Sequence, residues 1–224
     1  MNISPIAYID SPFKEKFGIP RQSGLAASVF SEIVFEEEYR NQDMVRGLEG
    51  FSHIWLIFGF SETQGKWSPT VRPPRLGGNK RMGVFATRSP FRPNGLGLSS
   101  VKIEEIRKEP GKGMVIVVSG ADLLDKTPIY DIKPYISLDC HPDGSFGFQK
   151  DTADYRLELD YSEEVLDILP EELRSGLLEL LQQDPRPSYQ NDPDRVYAFN
   201  YSGYEIKFTV SSNTVFLKAI ESSI

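Results

Sequence analysis

The residues best suited to chemistry lie between positions 72 and 95, where arginine, proline and glycine recur at short intervals. Proline fixes φ beside several of these arginines, and glycine lets a ligand approach the backbone closely. Guanidinium groups held in this way can form paired hydrogen bonds with a carboxylate or a phosphate. The segment therefore predicts a pre-organised anion-binding surface. The alternative is a set of rigid turns whose arginines are exposed for solubility.

The distribution of charge supports the first interpretation. The 41 residues between Glu62 and Glu104 contain no aspartate or glutamate. They contain eight cations, which are Lys66, Arg72, Arg75, Lys80, Arg81, Arg88, Arg92 and Lys102. The whole chain carries −7 and this window +8, which leaves −15 for the remainder. Such segregation is typical of a local anion-binding surface on an acidic protein, and it argues against coating nucleic acid by net charge.

Three further segments combine polar side chains with proline or glycine, at residues 11–22, 47–55 and 122–135. The first follows a predicted strand as a loop, and the second places His53 at the entrance of another strand. These segments could also be turns that cap a sheet. Their polarity and rigidity suit a site that they form together with residues 72–95.

The motifs that are absent exclude several function classes. Residues 95–100 resemble a dinucleotide-binding fingerprint, but Ser100 replaces its last glycine and a strand-like run follows. The sequence has no P-loop, no metalloprotease helix motif and no nucleophile elbow. His53, His141 and Cys140 are the only soft ligands, so we expect no metal site.

The single cysteine also bears on the cellular compartment. Cys140 cannot form an intramolecular disulfide, and we expect it to be structural or incidental. No basic region precedes an apolar run at the N-terminus, and no run approaches 18 apolar residues. We therefore expect no signal peptide, no membrane span and a cytoplasmic protein.

The elements that must position these residues are mostly strands. Short runs rich in β-branched and aromatic residues predict strands at 3–9, 26–35, 53–60, 82–87, 98–106, 114–119 and 128–136. No 12-residue helical pattern separates them, which favours an antiparallel sheet or barrel over a parallel nucleotide-binding fold. We predict a mainly β protein with an antiparallel β-barrel-like N-terminal domain over residues 1–150.

The character of the chain changes near residue 150. Residues 139–155 are polar and predict a linker. Residues 162–183 have helical periodicity, with Ser162 as a cap and Pro170 dividing the region into two helices. Strands at 196–200, 204–210 and 215–219 follow as a meander. We predict a small α+β C-terminal domain over residues 151–224.

The polar segments resemble the TsaA-like family, the tRNA methyltransferases typified by TrmO. The similarity extends from about residue 6 to residue 135 and resumes at residues 184–189. Its most specific blocks are residues 83–93 and 131–135. One departure follows Asn94, where Gly95-Leu96 stands in place of proline and a β-branched residue. That departure affects only the stiffness of the local loop.

The resemblance implies an S-adenosylmethionine-dependent enzyme that methylates N6 of threonylcarbamoyl-adenosine at position 37, in the tRNA anticodon loop. It also implies a β-barrel fold and a homodimer with cofactor sites near the subunit interface. The implied cofactor contacts are Pro20, Arg21, Gln22, His53, Ile54, Arg88, Leu98, Asp125, Lys126, Thr127 and Pro128.

The residue types suit this cofactor. Arg88 or Arg21 is a suitable partner for its carboxylate, Asp125 for its ribose hydroxyls, and backbone groups near Leu98 for its adenine edge. The substrate N6 must lose a proton during the reaction. The possible bases are Asp131, Tyr130 and His53, of which we give Asp131 and Tyr130 as catalytic candidates. Methyl transfer needs no metal.

Candidate contacts with RNA phosphates are Arg72, Arg75, Lys80, Arg81 and Arg92. Phe91 or Tyr189 could stack on a base of the loop, whereas we expect Phe85 and Trp55 to pack in the core. Arg186 and Tyr189 either face the anticodon loop or brace the junction between the domains.

Two other functions fit the same residues. A non-catalytic tRNA- or nucleotide-binding module would keep the basic surface without turnover. A methyltransferase that acts on a small molecule would not need cations such as Arg75 and Arg81 for its activity.

Overall fold

Six antiparallel strands form the larger sheet of the computed structural model, which describes residues 2–63, 65–73, 76, 80–152, 155–186 and 192–223. In chain order, the strands of this part are β1 (Ala7–Asp10), β2 (Phe30–Phe35), β3 (His53–Gly59), β4 (Thr70–Val71), β5 (Met82–Gly83), β6 (Leu96–Glu109), β7 (Gly113–Ser119) and β8 (Pro128–Pro134). The order in the large sheet is β1-β2-β7-β6-β3-β8. β8 also pairs with β1, so the sheet closes on itself. β4 and β5 form a separate two-stranded ribbon.

The pattern of side chains along the strands explains the core of this sheet. In β3, Ile54, Leu56 and Phe58 are buried, and the alternate residues between them are only half-buried. β7 is apolar along its length, and its residues from Met114 to Ile116 are all buried. Burying one large aliphatic side chain contributes about 1.5–3 kcal/mol. A register slip would expose these residues, so the pattern fixes the pairing of the strands.

A smaller sheet and two helices follow. Their bounds are β9 (Glu158–Asp160), α1 (Glu163–Leu166), α2 (Glu171–Gln182), β10 (Tyr197–Tyr201), β11 (Tyr204–Ser211) and β12 (Thr214–Ser222). The strand order is β10-β11-β12-β9, in which β9 runs parallel to β12. Ser162 caps α1 as predicted, since its hydroxyl accepts a hydrogen bond from the N–H of Val165 at 3.3 Å. No helix in the described part of the chain is long and apolar enough to cross a membrane.

The first loop, residues 11–29, packs with the smaller sheet although it directly follows β1. Its members of the second hydrophobic core are Phe13, Ala26 and Val29. Glu179 of α2 accepts hydrogen bonds from the N–H and the hydroxyl of Ser28, both at 2.8 Å. The carboxylate of Glu15 accepts the N–H of Asn200 at 2.8 Å. The first loop therefore connects the two cores.

A mainly β fold with a large antiparallel sheet and few helices is confirmed. The prediction of a strand over residues 82–87 is wrong, because only β5 is extended and Val84–Ala86 form a 3-10 turn. Val84 is buried but Phe85 is 82% exposed, so the prediction that Phe85 packs in the core is also wrong. Adjacent side chains of such a turn point about 120° apart, so the neighbour of a buried residue can face solvent.

Candidate functional site

A cavity of about 1130 Å³ is lined by both the first loop and the basic segment. Its cationic side chains are Arg21, Lys66, Arg72, Arg81 and Arg88. None of the described residues that line it is acidic. Part of the predicted anion-binding surface therefore lies in the wall of a concave site, where low-dielectric surroundings strengthen the attraction of an anion.

Gln22 and Arg88 join the first loop to the basic segment inside this cavity. Nη1 of Arg88 donates a hydrogen bond to Oε1 of Gln22 at 2.8 Å, across 66 residues of sequence. Both side chains belong to the predicted cofactor contacts, and both line the cavity. The fold thus brings together residues that the resemblance could only name.

Arg21 is oriented by the C-terminal part of the chain. Its Nη2 donates to the carbonyl oxygens of Arg186 at 2.9 Å and Asp184 at 3.4 Å. The neighbouring Pro20 is buried. The segment after α2 therefore sets the direction in which Arg21 enters the cavity wall.

Asp122 ties three segments of the site together. Its carboxylate accepts the hydroxyl of Ser99 at 2.6 Å and the backbone N–H of Ser23, and it lies within the electrostatic reach of Arg88. Burial raises the pKa of Asp122 above its ordinary value, while the hydrogen bond from Ser99 and the charge of Arg88 oppose this rise. One buried carboxylate thus interacts with β6, the first loop and the basic segment and fixes their positions relative to one another.

Asp125 is held by the first loop. Its carboxylate accepts the N–H of Ser11 at 2.9 Å and pairs with the ammonium group of Lys14 at 2.7 Å. Burial acts to raise the pKa of Asp125, but the hydrogen bonds from Lys14 and Ser11 outweigh it and lower the pKa. Asp125 is therefore an ionised hydrogen-bond acceptor at neutral pH.

The rest of the turn that begins at Asp125 packs on β1. Lys126 adopts a φ of 60° and forms an ion pair with Asp10. Thr127 is buried, its carbonyl accepts the N–H of Ile9 at 3.2 Å, and Pro128 begins β8. The described lining of the cavity includes none of the residues of this turn.

The predicted contacts on β3 face in opposite directions. His53 is half-buried, and its Nδ1 lies 2.9 Å from the hydroxyl of Ser52. The side chain of Ile54 is fully buried in the first core, so only its backbone could meet a ligand. Trp55 is half-buried rather than packed in the core, and its indole N–H donates to Asp139 at 2.9 Å.

Leu98 and Asp131 lie in one row on the outer face of the closed sheet. The register pairs Leu98 with Ile57 and Ile57 with Asp131, and side chains paired in this way share a face. Leu98 is 49% exposed. The carboxylate of Asp131 pairs with Lys133 at 2.9 Å.

Tyr130 lies at the register shift between β3 and β8, beside Asp131. Its ring packs over Gly59, where an added Cβ would come within 2.8 Å of the ring. Neither of the two catalytic candidates is among the described residues that line the cavity. Both side chains are half-buried on β8.

The predicted RNA contacts divide into two groups. Arg72, Arg81 and Phe91 line the cavity, and Lys80 is exposed. Arg92 instead donates to the carbonyl oxygens of Thr87 and Ser89 at 3.1 and 3.4 Å, which braces its own loop. Arg75 and Tyr189 lie outside the described residues.

Arg186 has the contacts of a bracing residue. It is 8% exposed, and its Nε and Nη2 bind the two carboxylate oxygens of Asp184 at 2.8 and 3.0 Å. These hydrogen bonds, which Arg186 donates to the Asp184 carboxylate, raise the pKa of Arg186. This pair is local to the segment after α2, whose backbone carbonyls accept the hydrogen bonds from Arg21.

Sequence reasoning missed Asp122 and Ser99, together with Trp67 and Phe148 of the cavity wall. Asp122 carries a usable signal, because it is a lone charged residue in the otherwise buried run from Ser119 to Leu123. A charge among buried residues is rarely tolerated without a role. Trp67 and Phe148 stand in polar loops, where a single aromatic residue gives no periodic pattern.

Two family models match the chain. The tRNA-methyltransferase O N-terminal domain matches residues 8–140, and the TrmO C-terminal domain matches residues 154–223. The first match contains the closed sheet and most of the cavity wall. The second contains α2 and the smaller sheet.

Two similar proteins carry the same name. The tRNA (adenine(37)-N6)-methyltransferase of Escherichia coli (strain K12) is 42% identical over 217 residues, covering 92% of each chain. A protein of the same name from Eikenella corrodens is 45% identical over 173 residues, covering 76% of this chain and 97% of that one. The crystal structure of TrmO from Pseudomonas aeruginosa has a TM-score of 0.79 at 31% identity, covering 99% of each chain.

Proposed function

Because the chain belongs to the tRNA-methyltransferase O family, we propose that it transfers the methyl group of S-adenosylmethionine to N6 of adenosine 37 in tRNA. The family resemblance found in the sequence is confirmed by these matches. The observation that carries the proposal is the cavity, because it joins cofactor contacts such as Gln22 and Arg88 to the RNA contacts Arg72 and Arg81.

The residues present fit S-adenosylmethionine. When bound, this cofactor supplies a methyl group on a positively charged sulfur, and the sulfur keeps the electron pair of the broken bond. Arg21 and Arg88 suit the cofactor's carboxylate, since they line an acid-free cavity. Asp125, ionised through its lowered pKa, can accept ribose hydroxyls. The remaining contacts in this proposal are Pro20, His53, Ile54, Leu98, Lys126, Thr127 and Pro128.

We propose that the substrate adenosine carries a threonylcarbamoyl group. The carboxylate of that group is an anion, and the cationic cavity without acidic lining suits it. Holding N6 in line with the methyl group lowers the entropy cost of the reaction, so positioning supplies much of the rate. Asp131 or Tyr130 then takes the N6 proton, directly or through water. The half-exposed position of Asp131 leaves room for that contact.

We propose that the protein is a homodimer that uses the outer face of its sheet. Leu96 and Leu98 are 36% and 49% exposed on β6, beside the half-buried Ile57 on β3. Exposed apolar residues that are contiguous in this way are typical of an interface. Leu98 and His53 belong to the proposed cofactor contacts, so this face would bring the cofactor sites close to the subunit boundary.

The closed strand order supports a β-barrel as the N-terminal domain, residues 1–150, with the smaller sheet in a C-terminal domain, residues 151–224. Because adenosine 37 lies in the anticodon loop of tRNA, the proposal includes contact between the protein and that loop. A tRNA substrate also supports a cytoplasmic location.

Labelled methyl transfer tests the activity. The protein is given S-adenosylmethionine with a labelled methyl group and tRNA that carries threonylcarbamoyl-adenosine at position 37, and in parallel tRNA with unmodified adenosine. We expect label in the first tRNA only. Cofactor binding without transfer to either tRNA would overturn the proposal and favour a binding module.

Paired substitutions distinguish tRNA from a small-molecule substrate. Arg72→Ala with Arg81→Ala should raise KM for tRNA by about tenfold or more, because each lost phosphate contact weakens binding. Lys108→Ala is the matched control, since it removes an exposed cation of β6 outside the cavity. Full activity of the double variant on tRNA would contradict the assignment.

A further inference from the structure

Three aromatic side chains from separate segments line the same cavity, namely Trp67, Phe91 and Phe148. Trp67 is 57% exposed and Phe91 is 44% exposed, while Phe148 is half-buried. Large apolar side chains that are exposed and clustered in one concave site are uncommon on a protein surface without a ligand. The cluster therefore needs a binding partner with an apolar face.

The charge around the rings restricts that partner. Lys66, Arg72 and Arg81 line the same cavity as the rings, and none of its described wall residues is acidic. Aromatic rings beside cations are the usual combination for single-stranded nucleic acid, because bases stack on the rings while phosphates meet the cations. An apolar peptide would not need this density of positive charge.

The cavity is large for a ligand site. Sites for one drug-sized ligand occupy about 300–1,000 Å³. At about 1130 Å³, this cavity exceeds that range. Methyl transfer requires donor and acceptor in contact, so a second ligand beside the cofactor is what the reaction demands.

We infer that Trp67 and Phe148 form a stacking site for the substrate nucleobase, with Phe91 as a third wall. This inference rests on the proposed function and assigns the part of the cavity that receives the tRNA. Enzymes that act on a base commonly move it out of its stack into a pocket, and the rings would then replace the stacking that the base loses. Arg72 and Arg81 hold the flanking phosphates.

Phe148 gives the connecting segment a function. It lies in the 3-10 turn Gly147–Thr152, between the end of the N-terminal family match at residue 140 and the start of the C-terminal match at residue 154. The sequence predicted only a linker over residues 139–155. The aromatic side chain of Phe148 lines the same cavity as Trp67, which comes from a distant part of the sequence.

Substitution of the two rings tests the inference against matched controls. Trp67→Ala and Phe148→Ala should each lower kcat/KM for tRNA by about tenfold or more, since stacking on one ring is worth this much in single-strand binding. The Kd for S-adenosylmethionine should not change. Phe146→Ala and Phe85→Ala should retain wild-type kinetics, because Phe146 and Phe85 are 66% and 82% exposed and lie outside the cavity wall.

Fluorescence gives a readout that does not depend on turnover. The chain has two tryptophans, Trp55 and Trp67. An anticodon stem-loop RNA with threonylcarbamoyl-adenosine should quench the emission of the wild-type protein, and Trp67→Phe should remove most of that quenching while the RNA still binds. Quenching that persists in Trp67→Phe would overturn the inference. So would kcat/KM values for Trp67→Ala and Phe148→Ala equal to those of the controls.

The two proposals fail in different ways. If the wild-type protein methylates no tRNA, the proposed function falls, and the stacking site falls with it. If the wild-type protein methylates tRNA while the Trp67 and Phe148 variants are fully active, only the stacking site is wrong.

Discussion

Asp122 shows how one side chain organises the site. Its carboxylate receives the hydroxyl of Ser99 and the N–H of Ser23, and it faces the charge of Arg88. A buried carboxylate is stable only when such partners compensate for the water it has lost. Removal of Asp122 would leave buried donors without an acceptor, at a cost of about 1–3 kcal/mol each.

Asp122→Asn should raise KM for S-adenosylmethionine by about tenfold and change kcat little. The amide still accepts the hydroxyl of Ser99, but it no longer attracts Arg88, and hydrogen bonds to charged groups contribute about 1.5–3 kcal/mol. Steady-state kinetics would measure both constants. Ser99→Ala is the matched control, because it removes one hydrogen bond and keeps the charge, so its KM should rise less. A fall in kcat with unchanged KM in Asp122→Asn would contradict a positioning role.

The first loop is the element that makes the site depend on both cores. It carries Arg21 and Gln22, but its own anchors are hydrophobic residues in the second core and the hydrogen bonds between Ser28 and Glu179. The C-terminal part of the chain therefore positions residues that belong, by sequence, to the first domain.

Glu179→Ala should loosen this loop. Loss of two hydrogen bonds to a carboxylate should cost about 1–3 kcal/mol in the free energy of unfolding, and the affinity for S-adenosylmethionine should fall with it. Thermal unfolding and calorimetric titration measure the two effects. Glu172→Ala, which removes an exposed carboxylate from the first turn of α2, should change both by a few tenths of a kcal/mol at most. A lower Tm with unchanged cofactor affinity would show that the loop contact is purely structural.

Sequence patterns predicted the elements whose burial is periodic and local. β3 and α2 are examples, since their apolar spacing records which face is buried. The patterns could not predict that Phe13 packs in the second core and not beside β1, because most residues of that core lie at position 157 or later. For the same reason, the sequence did not indicate the role of Asp122, whose contacts come from three distant segments. The resemblance named Gln22 and Arg88 as cofactor contacts, but their place in one cavity and the hydrogen bond between them are properties of the fold.

At the scale of the whole molecule, Leu98→Glu should convert the proposed dimer to a monomer. A charge on the outer face of the sheet would have to be buried in the interface without a partner. Sedimentation velocity measures the result. Ile168→Glu is a control of equal exposure, since Ile168 is also 49% exposed but lies in the C-terminal part, and it should remain dimeric. A monomeric wild-type protein would contradict the proposal of a dimer.

The anchoring of the first loop has a consequence for synthesis. Ser28 reaches its partner on α2 across 151 residues, and Glu15 reaches Asn200 across 185. Chains emerge from the ribosome N-terminus first, and contacts this distant in sequence form late. The loop that carries Arg21 and Gln22 must therefore wait for its contacts with the second core until the strands of the smaller sheet have been made. A truncated or stalled chain can form its large sheet and still lack a fully anchored methyl-donor site. The protein therefore becomes able to bind its cofactor only when the last strands have been made.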